Sequence, residues 1–190
     1  MKKFSTLAFA AAVMTPGLAL AHTGAAGHAH DFVQGFLHPV SGLDHILAMV
    51  LVGMLAWQIG QRALWLVPAA FVGVMVLGGA LAMAGIELPF LEVGIALSVV
   101  VLGAAVAFGV RAPVAVAMGL AGLFAVFHGQ AHGAEMPAAT SGLGYAAGFM
   151  FATALLHATG FAMGRIGTVA VRTAGAAASV AGVLLLIGTI

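Results

Sequence analysis

Six apolar segments, each near the roughly 20 residues that a helix needs to cross a bilayer, occupy most of this chain. They cover residues 43–60, 63–83, 89–109, 113–130, 142–164 and 173–190. Hydrocarbon offers no water to an unpaired N–H or C=O, so segments of this kind have to be helices. The connections, 60–62, 84–88, 110–112, 133–141 and 165–172, are short, so consecutive helices are expected to pack antiparallel. With 63% hydrophobic and 6% charged residues, the chain lies far from the roughly 25% charged content of a soluble domain. The expected fold is an all-α membrane protein of six transmembrane helices, one domain over residues 38–190.

Residues 1–21 read as a cleavable signal peptide, with Lys2 and Lys3 as the basic start, an apolar stretch from Leu7 to Val13, and Ala19-Leu20-Ala21 as an A-x-A cleavage site. An uncleaved first anchor is the competing reading, but Thr15-Pro16-Gly17 makes it a short and broken span. Residues 22–37 then form a His-containing N-terminal tail and lead-in segment. The part from His22 to Asp31 has no large apolar residue and is expected to be a flexible, exposed tail. Its His22, His28 and His30 either pick up a metal ion weakly or belong to a simple linker.

Cleavage places the mature N-terminus outside, in the periplasm of a bacterial inner membrane, and the first, third and fifth connections inside. Those connections carry Arg62, Arg111, Arg165 and Arg172, every arginine in the chain, as the excess of cytoplasmic Lys and Arg requires. The same arrangement sends His38, Asp44, His45, Glu87, Glu92, His128, His132 and Glu135 toward the outer face. Gly129 with Gly133, Gly144 with Gly148, and Gly160 with Gly164 each give GxxxG, which suits a compact bundle or a homo-oligomer equally well.

Two polar constellations interrupt the apolar pattern. The first, His38-Pro39-Val40-Ser41-Gly42-Leu43-Asp44-His45, opens the first apolar segment. A charge at the centre of a membrane helix costs roughly 2.5 to 3.5 kcal/mol on insertion scales, so an intramembrane Asp beside His marks function, with a cation as its natural partner. Pro39 either starts a helix or kinks one that is already running, and both put a break beside His38.

The second is Phe127-His128-Gly129-Gln130-Ala131-His132-Gly133-Ala134-Glu135, at the outer end of the fourth segment. His128 and His132, four apart, stack two imidazoles on one helical face, and Glu135 returns to it if the helix continues. Gly129 stands where a zinc protease would need its catalytic Glu, so this is a ligand pattern rather than an HExxH motif. Glu92, near the start of the third segment, and His157, deep in the fifth with Thr153 one turn before it, are candidates that a purely structural role also explains. Met49, four beyond His45, is a soft ligand or gate if it is more than core packing.

These residue types bound the chemistry. Six Lys+Arg against five Asp+Glu exclude a basic nucleic-acid surface, and neither GxxxxGK[ST] nor GxGxxG occurs, so no nucleotide is expected. With no Cys, thiolate sites and disulfides are excluded. Imidazole with carboxylate suits a borderline divalent ion such as Ni, Co or Zn.

At these residues the chain resembles the HupE/UreJ family, membrane proteins associated with nickel-iron hydrogenases and ureases and regarded as nickel permeases. The family's His-x5-Asp-His signature resembles His38, Asp44 and His45, and its Phe-His-Gly-x-Ala-His-Gly-x-Glu signature is similar to Phe127–Glu135 without a departure. The resemblance implies nickel import for metalloenzyme assembly, with cobalt as the alternative cargo. The expected metal ligands are His38, Asp44, His45, His128, His132, Glu135 and Glu92. No cofactor is held permanently, Ni(II) is the transported substrate, and no covalent chemistry is required. Two rival classes are a haem-binding cytochrome subunit using His45, His128 or His157, and an intramembrane hydrolase built on Ser41 or Ser141.

Overall fold

Leu-, Val- and Ala-rich runs without internal charge propagate helix readily, and the breaks fall where the backbone needs Gly or Pro. A computed structural model describes residues 25–136 and 140–189, with the side chains of 25–29 and 189 excepted. Among the described residues there are seven α-helices and no strand. They are α1 (Ala25–Leu37), α2 (Leu43–Ile59), α3 (Ala63–Met83), α4 (Leu91–Ala107), α5 (Val114–Ala134), α6 (Gly142–Gly164) and α7 (Thr168–Thr189). The signal segment and His22 lie outside the described residues.

All six expected apolar segments are helical. α3, α5, α6 and α7 are long and apolar enough to cross a membrane unaided, and α4 is a shorter apolar helix of 17 residues. α2 is also 17 residues and follows α1 and a 3-10 turn, His38–Val40, through an 82° bend. The exterior carries many large apolar side chains. Trp65, Leu77, Leu123 and Leu184 are more than half exposed, a pattern that is a liability in water and the requirement in lipid. The chain is a multi-pass membrane protein.

One expectation is corrected. Of the tail from His22 to Asp31, residues 25–31 are helical, with His30 exposed, and the helix that they open packs on α6 rather than hanging free. Phe32 and Phe36 lie 6.2 Å and 6.1 Å from the ring of Phe151 on α6, and buried Asp31 accepts the Ser141 N–H at 3.0 Å. Composition missed this because α1 is held by glycine: Gly35 sits against the Tyr145 carbonyl and Gly148 against that of Phe32. Boundaries moved also at α7, which starts at Thr168 and so brings Arg172 into the helix, and at α5, which continues through His132 to Ala134.

The closest pairings are α3 with α5 and α4 with α7, followed by α1 and α2 on α6. At the α3–α5 crossing a Cβ on Gly78 would stand 2.5 Å from the Val126 carbonyl oxygen, so only glycine permits that approach. The core proper runs through Met49, Leu51, Val52, Phe71, Val99, Leu102 and Ala121. Met49 is wholly buried within it, as a packing residue.

Candidate metal centre

Pro39 lies in the first positions of the 3-10 turn, where its missing N–H costs nothing, and Ser41 closes the turn by donating both its N–H and its hydroxyl to the His38 carbonyl. Gly42 follows in an extended conformation, and α2 begins at Leu43. A Cβ on Gly42 would come within 2.6 Å of Asp44 Oδ1 and 3.0 Å of His45 Nδ1. The glycine therefore clears the space in which Asp44 and His45 pair. His38 and His45 do not share one continuous helix face, because the break turns each toward a different part of α5.

His38 Nε2 meets Glu135 Oε2 at 2.9 Å across the mouth of a cavity of about 190 Å³. Asp44, His45, Glu92, His132, Ser41 and Gly42 line the same cavity. Deeper in, the His45 ring centroid is 4.8 Å from that of His128 and 4.4 Å from that of His132, and His38 lies 4.8 Å from His132. Two sets of donor atoms converge, each within 4.8 Å: His45, His128 and His132, and His38, His132 and Glu135. Tetrahedral bonds of about 2.0–2.1 Å place neighbouring nitrogens about 3.4 Å apart, so small side-chain rotations close either set on an ion. His132 belongs to both.

The hydrogen bonds fix which ring nitrogens are free. Asp44 Oδ1 accepts from His45 Nδ1–H at 2.8 Å and from the His45 backbone N–H at 2.8 Å. That leaves His45 Nε2 as a lone pair, buried and without a partner. Ser98 Oγ donates to the Ile95 carbonyl at 2.6 Å, so at its 2.9 Å contact with His128 it accepts from Nε2–H. His128 Nδ1 is then a second buried, unpartnered lone pair. Neither nitrogen of His132 has a partner. Buried polar atoms normally find one, and three imidazoles with unpartnered nitrogens, each offering a donor atom within 4.8 Å of the others, are what a cation site requires. The carboxylate behind His45 and the hydroxyl behind His128 hold the rings in the manner of the outer partners of metal-bound histidine.

Of the residues picked out from sequence, His38, His45, His128, His132 and Glu135 come together as donors. Asp44 joins the site with one oxygen engaged by His45. Glu92 lines the cavity, is exposed, and falls in neither convergent set. Ser41 spends its hydroxyl on a carbonyl, and Ser141 uses its backbone to bind Asp31. His157 lies apart from the cluster. Sequence reasoning missed Ser98, although it is the only hydroxyl in α4, and Gly42, whose role depends on the two side chains beside it. A larger cavity of about 440 Å³ between α3, α5 and α6 touches the cluster only at His132 and is otherwise almost wholly apolar. Its size does not outweigh the chemistry gathered in the smaller one.

At the opposite end of the bundle Gln58, Arg111 and Arg172 line a polar cavity of about 300 Å³. The chain is thus a helical membrane bundle that gathers imidazole and carboxylate at one end and guanidinium at the other. The chain belongs to the HupE / UreJ protein family, whose model matches residues 10–185. A relative described as protein HupE, from Rhizobium leguminosarum bv. viciae, is 48% identical over 183 residues, spanning 94% of this chain and 95% of the relative. No solved structure matches the chain significantly.

Proposed function

We propose that the chain imports Ni(II) across the bacterial inner membrane and supplies hydrogenase or urease maturation, with Co(II) as the alternative cargo. The observation that carries this reading is the set of unpartnered imidazole nitrogens on His45, His128 and His132, buried at the end opposite the arginines. Neutral imidazole suits nickel, cobalt and zinc better than it suits magnesium or calcium. The ion first meets His38 and Glu135, passes to His132, and is held by His45 and His128. Asp44 acts chiefly through His45, and Glu92 attracts the ion to the mouth. In this reading six spans follow a cleaved signal peptide, and the mature N-terminus is periplasmic. Passage needs no bond-making beyond ligand exchange.

A b-type cytochrome is disfavoured by geometry. Ring centroids 4.4–4.8 Å apart leave no space for a macrocycle between His45 and either histidine of α5. The test is competitive uptake of radiolabelled nickel, with cobalt, zinc and manganese as competitors, into cells or vesicles containing the protein. Accumulation above empty membranes, displaced best by nickel or cobalt, is the expected result. No accumulation of any of the four ions would overturn the proposal.

A further inference from the structure

His157 is 2% exposed, and its Nε2 has no hydrogen-bond partner. Thr153, one turn earlier on the same face of α6, is fully buried, and its Oγ1 is equally unpartnered. An apolar helix has a ready use for such a hydroxyl, which is to donate to the carbonyl four residues back. Thr159 Oγ1 does this to Leu155 at 2.9 Å in the same helix, and Thr173 Oγ1 does it to Val169 at 2.9 Å in α7. Thr153 does not. Two adjacent polar groups left unsatisfied in an apolar core oppose folding, so their presence calls for a ligand.

Their position says which ligand. The Phe71 ring, fully buried, is 5.7 Å from His128 and 5.4 Å from His157, so the two imidazoles lie within about 11 Å of each other and share one aromatic neighbour. His157 lies about 22 Å along α6 from its outer end. Just beyond it α2 and α6 close, with Gly53 packed against the His157 carbonyl and Gly160.

We infer that His157 and Thr153 form an inner station for the transported divalent cation, separated from the outer histidine cluster by the Phe71 ring. This rests on the proposed cation transport. Rotation of Phe71 joins the two stations, and a cation crossing its face is favourably placed. With one imidazole and one hydroxyl the inner station binds weakly, as release toward the inner side demands.

The test uses the full-length protein with nickel alone. Three quantities are measured: uptake into vesicles at saturating nickel, equilibrium nickel binding to the purified protein, and its melting temperature. For His157→Gln the expected result is uptake reduced about tenfold or more with affinity within about twofold of the parent, because the outer site is untouched. Thr153→Val keeps the shape, and its uptake should fall about threefold at an unchanged melting temperature. Parental uptake in both variants overturns the inference. A loss confined to His157→Gln and accompanied by a lower melting temperature overturns it too, by making His157 a packing residue. Absence of nickel uptake in the parent protein instead removes the transport reading beneath it.

Discussion

A histidine binds a metal through one nitrogen, so the neighbour of the other nitrogen decides whether the ring is ready. For His45 that neighbour is Asp44, and Asp44→Asn keeps the shape while removing the charge. Nickel affinity should fall about 10- to 100-fold, with the protein still present in the membrane; near-parental binding would show that the carboxylate does nothing for His45. Ser98→Ala removes the acceptor of His128 Nε2–H and should weaken nickel binding by a smaller factor, about threefold to tenfold. Isothermal titration reads both. Protons compete for the same lone pairs, so nickel affinity should fall as the solution is acidified. An affinity independent of pH across the whole acid range would mean that no imidazole nitrogen holds the ion. The histidines were legible because an ionisable group in an apolar run has few innocent explanations. Ser98 was not, since a serine in an apolar helix ordinarily serves its own backbone, and here it does so as well as holding His128.

The six apolar helices could be read from length and hydropathy, which govern what a bilayer accepts. α1 could not, because its stability comes from what it packs on. Small residues lower local propensity yet let two backbones approach, and composition alone registers only the first effect. The buried polar anchor of Asp31 on the Ser141 N–H gives the element-level prediction. Asp31→Ala should cost about 1–3 kcal/mol by orphaning that donor. The loss should appear as faster proteolysis near residues 25–37 before any global unfolding. Cleavage unchanged from the parent would mean that the glycine and phenylalanine contacts hold the helix without Asp31. The 82° break before α2 was half legible. Pro39 announced it, but its size and its use, turning His38 and His45 toward different turns of α5, depend on tertiary contacts.

At the scale of the whole molecule, orientation is open to a direct check, because a chain without cysteine gives no labelling background. Ile86, 51% exposed between α3 and α4, and Ile166, 71% exposed between α6 and α7, lie at opposite ends. An impermeant maleimide should label Ile86→Cys on intact spheroplasts, and Ile166→Cys only after they are opened. The reverse pattern would invert the topology and make the histidine mouth cytoplasmic. The pairing of helices carries one more consequence. α5 is fastened to α3 backbone against backbone and only lightly touches α2, yet His128 and His132 ride on the former and His45 on the latter. In the proposed reading the grip on the ion doubles as a clasp between α2 and α5. Whatever parts the two helices then loosens the grip, and whatever tightens the grip draws them together, so ion occupancy and helix closure are reciprocally linked.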